Sequence, residues 1–266
     1  MEKISQENKM SCLHIVASPI GNLSDLTERA KSILSSVDLI ACEDTRVSSK
    51  IMSHLGLRKP LISCNAHNEN YKSTEIIQLL SEGKQVAYLS DAGTPGLSDP
   101  GGLLVQAITE AGFKIIPVPG VSSLTTIISV CGFDLSHGFF FAGFLPRTEI
   151  RLTKILGKYL VDRKSTIIAL ESPHRIRKSL KVIAEFNPQL KLCIGRELTK
   201  HYEEIIRGNA AEVSEQKFNE KGEFVLVIHR LEKADKKDKY SNRFNDSYDE
   251  DLEVDLESNS SDEESA

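Results

Sequence analysis

The chain has 266 residues with 33 Lys and Arg against 38 Asp and Glu, a net charge of −5, and 40% hydrophobic residues. That length suits two modest domains of roughly 100–150 residues each, and no apolar run approaches the roughly 18 residues that a membrane helix needs. Five scattered cysteines with no Cys-x-x-Cys pair argue for a reduced, cytoplasmic setting and against a disulfide framework.

In chain order, Met1 to Met10 is polar and lacks the apolar core of a signal peptide. Strands are expected at His14–Ala17, Asp38–Cys42, Leu61–Cys64, Val86–Ser90 and Lys114–Val118, with helices over Leu26–Ser35, Ser48–His54, Ser73–Ser81 and Leu103–Ala111 between them. Ser122–Val130 reads as a further helix, and Gly132 after Cys131 as a hinge. Strands follow at Phe139–Ala142, Thr166–Leu170, Lys191–Gly195 and Glu223–His229, with helices over Thr148–Leu160 and Arg175–Glu185. Such alternation implies an α/β architecture whose first sheet is largely parallel. The expected division is an extension over 1–12, an N-terminal α/β domain over 13–120, a C-terminal α/β domain over 121–231 and an acidic tail over 232–266. From Asn245 to Ala266 there are ten acidic residues and no basic one, so the rest of the chain carries +5. That composition predicts a disordered tail, either a plain solubiliser or a competitor for RNA on a mildly basic body.

The segment Leu89-Ser90-Asp91-Ala92-Gly93-Thr94-Pro95-Gly96-Leu97-Ser98-Asp99-Pro100-Gly101-Gly102 stands out. It joins a buried-strand pattern to a helix with four glycines and two prolines, far more than a change of direction needs. At the carboxyl end of a strand in an α/β sheet it reads as a ligand cradle. Asp91 could accept hydrogen bonds from ribose hydroxyls or pair with a ligand amine, or it could simply cap its own turn. The glycine spacing is not that of a Rossmann dinucleotide site, no Gly-Lys pair continues into a P-loop, and no His or Cys spacing points to a metal.

Together with Ser18-Pro19-Ile20-Gly21-Asn22-Leu23, Glu43-Asp44-Thr45-Arg46, Pro119-Gly120-Val121-Ser122-Ser123 and Gly143-Phe144-Leu145-Pro146, this cradle closely resembles the family of small-subunit ribosomal RNA 2'-O-methyltransferase I, a branch of the tetrapyrrole methylases. The resemblance covers about Leu13 to Ile228. It implies two α/β domains with S-adenosylmethionine in the interdomain cleft, and 2'-O-methylation of a cytidine ribose in 16S ribosomal RNA near the decoding centre. It also implies a homodimer acting on the small ribosomal subunit, with neither membrane nor metal. The Pro19–Leu23 loop departs from the Gly-Pro-Gly-Asp version of small-molecule methylases, which counts against a corrinoid or porphyrin substrate; a non-catalytic RNA-binding relative is the third reading.

On this resemblance Pro19, Asp91, Ala92, Gly93, Thr94, Pro95, Ser122, Ser123, Leu170, Glu223 and Phe224 would hold the cofactor, although Ser122 and Ser123 could equally cap a helix. His67 is the natural proton acceptor near neutral pH, with Asp44 or Glu69 orienting it or the ribose hydroxyl; each could instead be structural. Arg46, Arg147, Arg151, Arg175, Arg196 and Lys200 are the expected RNA contacts, the last three standing equally well as ion-pair partners of Glu171 and Glu197.

Overall fold

The computed structural model describes residues 11–230; the N-terminal extension up to Met10 and the acidic tail lie outside them. Five short strands, β1 (Cys12–Val16), β2 (Leu39–Cys42), β3 (Leu61–Ser63), β4 (Val86–Leu89) and β5 (Lys114–Val118), form a sheet ordered β3-β2-β4-β1-β5. Every neighbouring pair is parallel, so both faces must be covered and the central strands read as apolar runs. Val86 to Leu89 are wholly buried. Helices α1 (Glu28–Ser36) and α2 (Thr45–His54) cover one face with Leu34, Ile51 and Met52. Helices α3 (Glu69–Ser81) and α4 (Gly102–Glu110) cover the other with Ile76, Leu80, Leu104 and Ile108.

The second half begins with α5 (Ser123–Cys131), which ends in Gly132 at φ +77°. The remaining strands are β6 (Phe139–Phe144), β7 (Thr166–Glu171), β8 (Lys191–Arg196), β9 (Glu204–Asn209) and β10 (Phe224–Ile228), in the order β6-β7-β10-β8-β9. Only β6 and β7 run parallel. Helices α6 (Glu149–Leu156), α7 (Ile176–Phe186) and α8 (Ala210–Glu215) pack one face, and α5 with Ile127 and Cys131 packs the other.

The elements differ from the sequence expectation in a few places. The helix expected over Thr148–Leu160 is α-helical only to Leu156 and continues as a π-helical turn over Gly157–Asp162. β9 and α8 were not expected. β9 is an edge strand with a single adjacent apolar pair, Ile205-Ile206, too short for a period to emerge. α8 is six residues long, and its one signal is the capping box between Asn209 and Glu212. α2 starts at Thr45 rather than Ser48 because the Asp44 carboxylate caps it, accepting the Arg46 N–H at 2.8 Å.

All connections of interest leave the carboxyl ends of the first sheet's strands. The chain goes from β1 to β2 on one side and from β4 to β5 on the other, so the crevice between β4 and β1 is the topological switch point. There the loops are tied to each other. Ser18 and Gly93 exchange two backbone hydrogen bonds at 2.9 and 3.1 Å, and the Ser90 hydroxyl donates to the Gly93 carbonyl. Gly93 holds φ +80°, a conformation that other residues reach only with strain. At the far end of the cradle, Glu69, 4% exposed, accepts the Gly101 and Leu104 N–H groups at 2.9 and 2.8 Å, capping α4 from the first turn of α3.

Removing that carboxylate orphans two buried donors. Glu69→Ala is therefore expected to lower stability by about 3 kcal/mol and to reduce the urea midpoint, with Glu69→Gln losing less because it keeps an acceptor oxygen. An unchanged midpoint in Glu69→Ala would show that the cradle does not depend on this cap.

Candidate active site

A cavity of about 390 Å³ lies between the two sheets, within the roughly 300–1,000 Å³ range of small-molecule sites. The first sheet contributes Ile20, the cradle residues Ala92, Gly93, Thr94, Leu97, Ser98 and Asp99, and Ser122 with Ser123 at the start of α5. The second contributes Phe144, Leu170, Glu171, Gly195, Leu198, Glu223, Phe224 and Val225. Eight expected cofactor residues thus meet on one surface: Ala92, Gly93, Thr94, Ser122, Ser123, Leu170, Glu223 and Phe224. Pro19, Pro95 and Asp91 are not among its lining residues. Ser122 sits at the N-cap position of α5 without a side-chain capping bond, so the capping alternative does not describe it.

The walls are mostly apolar, with Asp99 as their most perturbed charge. Burial, reinforced by the nearby carboxylates of Glu43, Asp91 and Glu223, pushes the Asp99 carboxyl up to about 7. Sequence reasoning passed over Asp99 because it sits among turn residues, where an aspartate usually serves the backbone.

Beside this cavity a second, more open cleft is lined by Glu43, Asp44, Thr45, Arg46, Ser63, Asn65, Ala66, His67 and Asp91. These are the ends of β2, β3 and β4. Asp91 and Ala92 are consecutive, one facing each space, so the two are adjoining. Asp91 differs from its expected place: its carboxylate accepts the Asp44 backbone N–H at 3.0 Å and lines the open cleft. Burial raises the pKa of both Glu43 and Asp91 above the ordinary carboxylate value; the Asp91 charge pushes Glu43 further, and the Asp44 charge adds to both. Asp44 behaves oppositely. Its hydrogen bonds with the Arg46 side chain and N–H bring it down to about 2, and the Arg46 guanidinium lies 2.5 Å away. It is a helix cap and ion-pair partner, ionised at any working pH. Glu69, buried and capping α4, is turned away from the cleft, while His67 is exposed at its rim.

The expected RNA contacts divide. Arg46, in the first turn of α2, and Arg147, on the loop before α6, are exposed, and Arg151 is half-buried in α6. Arg175 is held by the buried Glu171 at 2.6 Å and by Ser172. Arg196 is only 6% exposed and donates to the Lys221 and Tyr202 carbonyls at 2.8 and 3.0 Å, which removes it from any RNA surface. Lys200 lies between Glu197 and Glu223 at 3.0 and 3.2 Å. For Arg175 and Lys200 the ion-pair alternative describes the observed contacts, whereas Arg196 pairs with neither Glu171 nor Glu197 and reaches Glu204 at 3.7 Å.

The family model for Tetrapyrrole (Corrin/Porphyrin) Methylases matches residues 12–214. A ribosomal RNA small subunit methyltransferase I from Borrelia garinii is 45% identical over 222 residues, covering 82% of this chain and 98% of the relative. The chain belongs to the family of ribosomal RNA small subunit methyltransferase I, within the tetrapyrrole methylases. A second member, from Neisseria meningitidis, is 39% identical over 233 residues, covering 86% of this chain and 79% of the relative. The fold is shared more widely: a crystal structure of diphthine synthase superposes with a TM-score of 0.64 at 13% identity, covering 82% of this chain and 90% of that one. Among the described residues no helix is long and apolar enough to cross a membrane, and no group of His, Cys, Asp and Glu could hold a metal ion.

The position of Asp99 has a consequence for stability. Its carboxyl is raised in the folded state above the unfolded value of about 4, so ionising it costs the fold stability. That penalty is absent below about pH 4 and complete above pH 7. Thermal melts of Asp99→Asn against wild type should show the variant gaining as pH rises from about 4 to 8. A difference that stays constant across the series would mean that Asp99 ionises normally.

Proposed function

We propose that the chain transfers a methyl group from S-adenosylmethionine to a 2'-hydroxyl of a cytidine ribose in the 16S RNA of the small ribosomal subunit, near the decoding centre. The observation that carries this reading is the pair of adjoining spaces divided at Asp91-Ala92. One is apolar and the size of a nucleoside-bearing ligand; the other is open and polar.

The residues of the apolar cavity fit the donor's chemistry. Leu170, Leu198, Phe224 and Val225 offer an apolar surface for a purine. The hydroxyls of Ser122 and Ser123 and the backbone of Ala92 to Thr94 offer partners for a ribose and an amino-acid group. Asp99 and Glu223 supply the negative charge that a cationic donor requires. When bound, the donor supplies an electrophilic methyl carried on a sulfonium. Because that carbon is already activated, the protein's work is to hold the acceptor oxygen in line and to accept a proton. Asp44, held near 2, is a poor proton acceptor. Glu43 and Asp91, raised by burial, and His67 at the rim are the groups of the cleft suited to receive one. Arg46 and Arg147 are exposed and available to RNA phosphates. The reading extends, on the family resemblance, to a cytoplasmic homodimer; sedimentation giving an active monomer would remove the dimer.

Nucleoside mass spectrometry of 16S RNA from a strain lacking the gene should show loss of one 2'-O-methylcytidine, restored by the wild-type gene. Unchanged 2'-O-methylcytidine would sink the reading, and a methylated corrinoid would point to the small-molecule branch. A second expectation concerns pH. Asp99 ionises near 7 in the free protein, so a cationic donor should bind more tightly above that pH and release a proton on binding just below it. S-adenosylhomocysteine, without the sulfonium charge, should respond less. Calorimetry in two buffers of different ionisation enthalpy tests this; equal pH dependence for both ligands would exclude Asp99 as the charge that meets the sulfonium.

A further inference from the structure

Residues 197 to 200, between β8 and β9, have an unusual backbone. Glu197 and Thr199 both hold left-handed conformations, φ +50° and +65°, on either side of Leu198. Such residues are strained and persist only where their surroundings fix them. The fixing contacts are visible. The Glu197 N–H donates to the Glu223 carbonyl at 2.9 Å, and its carboxylate accepts the Glu223 N–H at 2.9 Å. The Thr199 N–H donates to the Glu203 carboxylate at 2.6 Å. The result is an arch that points Leu198 into the cavity and swings Lys200 across to the loop after β1.

There Lys200 lies along Gly21. A Cβ on Gly21 would fall 2.3 Å from the Lys200 Cγ and 3.1 and 3.2 Å from its Cε and Cδ. Its ammonium is anchored between Glu197 and Glu223 at 3.0 and 3.2 Å. A lysine suits this post, because its long apolar stem can press on a surface while its charge is held at the end. Ile20, next to Gly21, and Leu198, two residues before Lys200, are buried in one apolar cluster, and both line the apolar cavity.

We propose that Lys200 is a positioning residue: it clasps the Ile20-Gly21 loop of the first sheet to the second, so that Ile20 and Leu198 meet as one wall of the donor cavity. The proposal rests on the reading of that cavity as the donor site. It also gives a role to the loop after β1, where this chain carries Pro19-Ile20-Gly21-Asn22. Only a residue without a side chain lets the lysine stem cross at position 21.

The test is a double-mutant cycle in the full chain with Lys200→Met, which keeps the apolar stem and removes the anchor, Gly21→Ala, which pushes the stem away, and the double variant. Donor KM and kcat are measured on small ribosomal subunits, S-adenosylhomocysteine affinity by calorimetry, and the fold by melting temperature. Each single variant should raise donor KM and weaken S-adenosylhomocysteine binding about tenfold, a size typical of coupling between contacting residues, with kcat and melting temperature little changed. The double variant should be no worse than the poorer single one, because both break the same clasp. Additive losses, or a lowered melting temperature with wild-type donor KM, would overturn the proposal by making Lys200 an independent or purely structural residue. Should Gly21→Ala not fold, Lys200→Met alone decides by the same KM against kcat comparison. Failure of the wild type to bind S-adenosylhomocysteine would remove the donor reading itself, and the clasp with it, a result read without any variant.

Discussion

The two hydrogen bonds exchanged by Ser18 and Gly93 are the constraint on which the site depends. Parallel strands deliver their carboxyl ends to one edge of a sheet, but loops leaving that edge have no ladder to hold them. Here the loop after β1 and the loop after β4 pair with each other at the switch point. The next one is tied in through the Ala17 N–H, which donates to the Val118 carbonyl at 3.1 Å. Three connections are therefore tied to one another through backbone hydrogen bonds at this edge. That edge stays shaped without a ligand, the condition for binding one without a large ordering cost.

From this edge the remaining features follow in physical sequence. Glu69 closes the far end of the cradle by capping α4, so the segment from Ser90 to Gly101 is held at both ends. The second sheet supplies the opposite wall through the ends of β7, β8 and β10. Because those walls are mostly apolar, the carboxyl groups that remain between the two sheets are poorly solvated. Burial raises Asp99 there, and Glu43 and Asp91 in the adjoining cleft, while Asp44, hydrogen-bonded to Arg46, is brought down. Carboxylates a few residues apart thus acquire opposite characters from their surroundings alone.

Much of this was legible in the sequence. The first sheet could be read because its strands are short, apolar and punctuated by glycine and proline, and the cradle because its glycine content exceeds what a turn uses. Eight expected cofactor residues line a single cavity. What could not be read concerns the far ends of side chains. Asp91 faces the neighbouring cleft because a hydrogen bond to Asp44, 47 positions away, turns it there. Arg196 resembles any exposed arginine in the sequence, yet two carbonyls from distant turns bury it. Glu69 reads as a polar residue beside His67, and only the tertiary packing of α3 on α4 reveals it as a cap. β9 escaped because its six residues hold a single apolar pair, and α8 because one and a half turns show too little helical period to register.

The central claim is that the donor occupies the apolar cavity with its reacting end toward the Asp91-Ala92 divide. A crystal structure with S-adenosylhomocysteine tests it most directly. The account predicts density for the adenosine against Leu170, Leu198 and Phe224, with the sulfur at the side of the cavity that opens toward Glu43, Asp91 and His67. Adenosine bound in the open cleft, or a sulfur directed away from Asp91, would contradict it.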